Sequence, residues 1–86
     1  MINFKQRELI DALMDGIKKR FPEVELIDVI ESPEDPKTLW IRVTTPDNED
    51  REIDLIEFSG DVVTDIHIKY GHHMLVMPTR RAMEAA

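Results

Sequence analysis

The sequence predicts an α+β fold, a two-layer α/β sandwich with elements in the order helix, strand, strand, helix, strand. Three observations predict it. Ile10, Leu13, Met14, Ile17 and Phe21 fall in one narrow stripe when wound at about 100° per residue. Leu39, Ile41 and Val43 alternate with Trp40, Arg42 and Thr44 in the period of two that a strand imposes. Between residues 53 and 70, Asp54, Glu57, Asp61 and Asp65 separate from the apolar side chains when the segment is wound as a helix.

The first helix spans residues 3–21. Asn3 can accept hydrogen bonds from the free amides of the first turn, and Gln6 completes a capping box. Lys18, Lys19 and Arg20 suit the negative end of the helix dipole, and Pro22 stops propagation. Residues 24–31 are rich in β-branched side chains and read as a strand. Ser32-Pro33-Glu34-Asp35-Pro36-Lys37 is a turn, because two prolines cannot donate to a ladder. Residues 38–45 are the second strand, and so short a connection makes the two strands an antiparallel hairpin.

Residues 46–70 admit two readings. A hairpin turning at Ser59-Gly60 would give one N-terminal helix on an antiparallel β-meander. Against it, Ile53 and Leu55 would point to one side of a strand and Ile56 and Phe58 to the other. Wound as a helix with Ile53 at zero degrees, Phe58, Val62, Leu55, Ile66, Tyr70, Val63 and Ile56 fill an arc of about 160°, with Ile68 the misfit. Thr45-Pro46 supplies a cap and a first-turn proline, and Gly71 a C-terminal stop. The helix is preferred, although Gly60 in mid-helix costs about 1 kcal/mol relative to alanine. Residues 72–77 form the last strand, ended by Pro78. It is apolar on both faces, which marks an interior strand. The second helix then serves as a crossover that sets the second and third strands parallel.

Eighty-six residues leave room for one domain, read as residues 1–78 with a C-terminal tail of 79–86, disordered or a short helix. The expected core is Ile10, Leu13, Ile17, Phe21, Leu26, Ile41, Val62, Ile66, Leu75 and Met77. Met14 and Met74 join Met77 as fillers of core gaps. No run reaches the ~18 apolar residues of a membrane span. The N-terminus turns polar too early for a secretory signal, so the expectation is a soluble, cytoplasmic protein.

Charge narrows the partners. The net charge is −7, and residues 23–65 hold 14 acids against 3 bases. That middle repels phosphate, so nucleic acid and anionic membranes are not expected partners. A basic protein is. The row Asp54, Glu57, Asp61 and Asp65 is the candidate strip for it, and Trp40, on the strand face opposite Ile41, is the candidate anchor. An exposed tryptophan on a three-stranded sheet with open edges points to a homodimer in which the sheets meet.

Chemistry-bearing patterns are sparse. Without cysteine there is no thiolate metal site, disulfide or thiol nucleophile. His72 and His73 point to opposite sides of a strand and cannot chelate together, while His67 could partner His72 across Tyr70-Gly71. Asp47–Glu52 fails as a calcium loop, since Arg51 and Glu52 stand where a ligand and a glycine belong. Glu57-Phe58-Ser59-Gly60-Asp61 lacks the first glycine of a nucleophile elbow, and three scattered glycines make no phosphate loop. No catalytic, cofactor or metal residues are assigned. The element order is similar to that of some small RNA-binding domains, but their loop of two glycines spaced by two residues is absent. The expectation is a small acidic, non-enzymatic interaction or regulatory protein acting as a homodimer. The alternatives are an acidic inhibitor, antitoxin-like, that covers a basic protein, and a small enzyme with His67, His72, Tyr70 and Asp65 at a site shared across a dimer.

Overall fold

The computed structural model describes residues 3–79. They form α1 (Phe4–Arg20), β1 (Leu26–Glu31), β2 (Thr38–Thr44), α2 (Glu49–Tyr70) and β3 (His73–Thr79), in the expected α+β order. The strands make one sheet of order β1-β2-β3, with β1 antiparallel and β3 parallel to the central β2. The β-meander alternative falls, because 49–70 is one helix.

Each boundary has a local cause. Asn3 caps α1 with its side chain on the Gln6 amide at 2.8 Å, and the Gln6 side chain accepts from the Asn3 amide at 3.0 Å. Phe21 closes the helix by donating its amide to the Ile17 carbonyl, and Pro22 follows. The cap of α2 is not Thr45 but Asn48, whose side chain accepts from the amides of Asp50 and Arg51. An Asx side chain reaches those amides more readily than a threonine held before a buried Pro46. Gly71 ends α2 in the left-handed region, at φ 74°, where a side chain would be strained.

α1 and α2 pack on one side of the sheet. The core joins Leu9, Ile10, Leu13 and Ile17 of α1, Leu55, Val63 and Ile66 of α2, Leu39, Ile41 and Val43 of β2, and Met74 and Val76 of β3, with Phe21 and Val24 at the junction. Three expected core members lie elsewhere. Leu26 is 43% exposed because it lines an open cavity between α1 and β1. Leu75 is 47% exposed and Met77 partly buried, because strand parity turns them to the far face while Met74 and Val76 face inward. Val62 is only partly buried. The apolar arc of α2 is also narrower than expected, since Ile56 and Tyr70 at its edge are about half exposed.

β3 departs from expectation twice. It is an edge strand, not an interior one. It also runs through Pro78 to Thr79, because an edge strand tolerates a residue without an amide hydrogen. Thr79 therefore leaves the tail and joins the sheet. Residues 80–86 of the tail lie outside the described residues. Ser59, which carried no core expectation, is buried in α2 because its hydroxyl donates to the Leu55 carbonyl at 2.7 Å.

Leu13 is almost fully buried at the α1–sheet contact. Leu13→Ala is expected to cost about 2–5 kcal/mol of unfolding free energy. Leu75→Ala, on the exposed face, is expected to cost less than about 1.5 kcal/mol. Urea denaturation of both variants checks the assignment of the two faces.

Candidate functional site

The side of the sheet opposite the helices is uncovered. Register assembles it in rows. Ile30 pairs with Trp40, and Trp40 with Leu75, so the three cross the sheet side by side. Asp28, Arg42 and Met77 form the next row, and Thr44 and Thr79 lie beyond. Trp40 is not fully exposed, since its flat ring lies among its neighbours and leaves it half-buried. The aromatic and aliphatic row offers apolar area at low cost in side-chain freedom.

Asp28 and Arg42 fix the polar half of this face. The guanidinium grips both carboxylate oxygens, with Nε to Oδ1 at 2.7 Å. That fork is a planar match. Hydrogen bonds from Arg42 hold the Asp28 carboxyl below its ordinary value, and Asp28 raises Arg42 in turn. A second fork lies at the helix ends. Arg51 donates to Glu23 at 2.6 and 3.1 Å and to the Arg20 carbonyl at 3.0 Å, and lies over the Phe21 ring. It holds the Glu23 carboxyl low.

The expected partner-binding residues divide between two surfaces. Asp54, Glu57, Asp61 and Asp65 are all exposed on α2, in the helical layer, with Asp65 paired to Lys69 at 3.2 Å. Trp40 lies on the opposite side of the sheet, so the acidic row and the tryptophan do not share one surface. Ile30, Leu75 and Met77, which complete the Trp40 face, carried no site expectation. Their signal was strand parity, readable only once the neighbours of β2 are known.

The residues considered for an enzyme do not converge. His67 stacks on His73 with ring centroids 4.0 Å apart, so its partner is His73 rather than His72. Asp65 and His67 stand about 200° apart around α2. Tyr70 is covered by the Lys5 ammonium at 4.6 Å. The hydroxyl of Ser59 is spent on helix carbonyls, and that of Ser32 accepts from the amides of Glu34 and Asp35. Among the described residues, no three or more histidines and carboxylates are placed to hold a metal ion.

Two open cavities flank β1. One of about 290 Å³ is lined by Glu23, Glu25, Thr44, Thr45 and Asp47, and the Thr45 Oγ1 is buried without a hydrogen-bond partner. The other, about 330 Å³, lies between α1 and β1 beside Met14, Asp15 and Leu26. No helix among the described residues is long and apolar enough to cross a membrane.

Comparison with protein-family models, curated proteins and solved structures found no match for this chain.

The two forks predict the acid response. Both carboxyls titrate below their unfolded values, so their stabilisation is present above the ordinary carboxylate range and is lost as pH falls through the folded values. The thermal midpoint of the wild type should fall on acidification from neutral pH toward pH 3. A Glu23→Gln/Asp28→Asn variant should start lower and fall less over the same range. Parallel curves for the two proteins would show that the forks do not set the acid sensitivity.

Proposed function

We propose that this chain is a small cytoplasmic, non-enzymatic interaction protein, acting as a homodimer, that presents the uncovered sheet face to a partner. The observation that carries this reading is the row Ile30, Trp40 and Leu75, a continuous apolar strip that no element among the described residues covers. Water-exposed strips of this kind mark contact surfaces, and a half-buried tryptophan at the centre is the residue type that dominates such contacts. The Asp28–Arg42 fork beside the strip gives a partner a fixed polar register mark. The dispersal of His67, His72, Tyr70 and Asp65 supports binding over catalysis.

A second contribution comes from the acidic row on α2. All four carboxylates are exposed, and such charges act mainly on the rate of encounter with a basic protein. The row therefore steers while the Trp40 face holds. In this reading the protein works as an acidic inhibitor when the surface it covers belongs to a basic partner.

The test begins with proteins retained from the native source by wild type but not by Trp40→Ala. Against such a purified partner, Trp40→Ala should raise the dissociation rate at least about tenfold, as expected for a central aromatic anchor. Asp54→Lys/Asp61→Lys should slow association with little change in dissociation, and added salt should slow the wild type likewise. Equal retention of the same proteins by wild type and Trp40→Ala would sink the uncovered-face reading. Rates indifferent to both charge reversal and salt would remove the steering role.

A further inference from the structure

The strand whose composition reads as interior stands at an edge. From His73 to Thr79, β3 contains no Asp, Glu, Lys or Arg, and its register with β2 continues without a shift. Its outer side is therefore a straight row of backbone donors and acceptors, interrupted only by Pro78 close to its end. The other edge is guarded. β1 shifts register between Leu26 and Asp28 and carries Asp28 and Glu31. Bulges and charges are the usual means of stopping a sheet edge from pairing with another chain, and β3 has neither.

α2 has a matching feature directly above that edge. At about 100° per residue, Ile53, Ile56, Gly60, Val63 and His67 fall on one flank of the helix. His67, at the end of this flank, meets His73 at the start of β3 with the rings tilted and their centroids 4.0 Å apart. The opposite flank faces α1, where Phe58 meets Phe21 and approaches Gly16. Ile53 is 50% exposed and Ile56 49%. Gly60 stands at the midpoint of the helix, and a Cβ there would meet nothing within 4 Å. Among the described residues nothing crowds this helix-weakening position, and a second helix crossing at Gly60 could approach backbone to backbone.

We infer that the homodimer forms along this edge. A two-fold axis beside β3 sets it antiparallel to β3 of a second copy, and the same rotation packs α2 against its counterpart across Gly60. Three strands become six, with four helices on one side. A single added peptide strand would satisfy the β3 edge but leave Ile53 and Ile56 bare, so a second copy is the occupant that covers both. Asp54, Asp61 and Asp65 stand about 120° or more from the middle of this flank, which keeps them off the contact between two chains of net charge −7, while Glu57 lies at its rim. The inference rests on the homodimeric part of the proposed function and leaves the Trp40 face free, doubled into one platform.

Sedimentation equilibrium of the full chain over a range of concentrations tests it, with circular dichroism to confirm folding. The wild type should sediment at twice 10.0 kDa. Ile56→Lys should keep its helical signal and weaken the dimer at least tenfold, and Trp40→Ala should leave the dimer unchanged. Hydrogen exchange should show the outward amides of β3 protected in the wild type and released in Ile56→Lys. A monomeric wild type, or a dimer lost in Trp40→Ala and kept in Ile56→Lys, would overturn the inference. Should Ile56→Lys unfold, Gly60→Gln, which adds bulk to the same exposed flank, makes the same comparison. The two proposals fail separately: a monomer whose partner binding still needs Trp40 refutes the edge dimer alone. An edge dimer whose partner binding ignores Trp40 refutes the uncovered face alone.

Discussion

Everything in this molecule follows from a helical layer that covers one side of a three-stranded sheet and only one. The central strand sets the terms. Leu39, Ile41 and Val43 of β2 are buried under both helices, and the intervening Trp40, Arg42 and Thr44 necessarily project to the other side. With two helices for three strands, the described residues include no further element to lay over that second side. The residues there had to be stabilised in place, by the Asp28–Arg42 fork and by lateral contact between rows, and not by burial in a core. Their partial exposure is the state in which the chain folds, and it is what makes them available.

Arg51 plays the corresponding part among the helices. Its guanidinium joins the last carbonyl of α1, the Glu23 carboxylate before β1 and the Phe21 ring, while its own amide is capped by Asn48 at the start of α2. Segments about thirty positions apart in the sequence thus share one side chain. The clasp ties the start of α2 to the end of α1 and to the segment that enters β1. An arginine suits this role better than a lysine, because a single planar group serves several acceptors at once.

The element order was legible because periodicity distinguishes strand from helix even without context. The segregation of Asp54, Glu57, Asp61 and Asp65 correctly identified α2 against a competing alternation in residues 62–70. Boundaries and partners were less legible. Thr45-Pro46 resembled a helix start, and only the hydrogen bonds place the cap at Asn48. The core assignments of Leu75 and Met77 failed for a different reason. The sequence of β3 shows two apolar faces but not which one meets the helices, and that depends on the register with β2. The same ambiguity made β3 look interior. As for the site, Trp40 was visible as a singular residue in an alternating strand. Its companions Ile30 and Leu75 were hidden because they come from segments 10 and 35 positions away, joined only by pairing.

The register shift in β1 bears on how large an assembly of this chain can grow. A sheet with two competent edges adds subunits at both ends without limit, and the product is a fibre. Here the irregularity between Leu26 and Asp28, with the carboxylates that follow it, disfavours the pairing of another strand at that end. In the proposed edge dimer both remaining ends are β1, so growth that begins at β3 would stop after one addition. A small irregularity in an outer strand would then set the stoichiometry of that assembly.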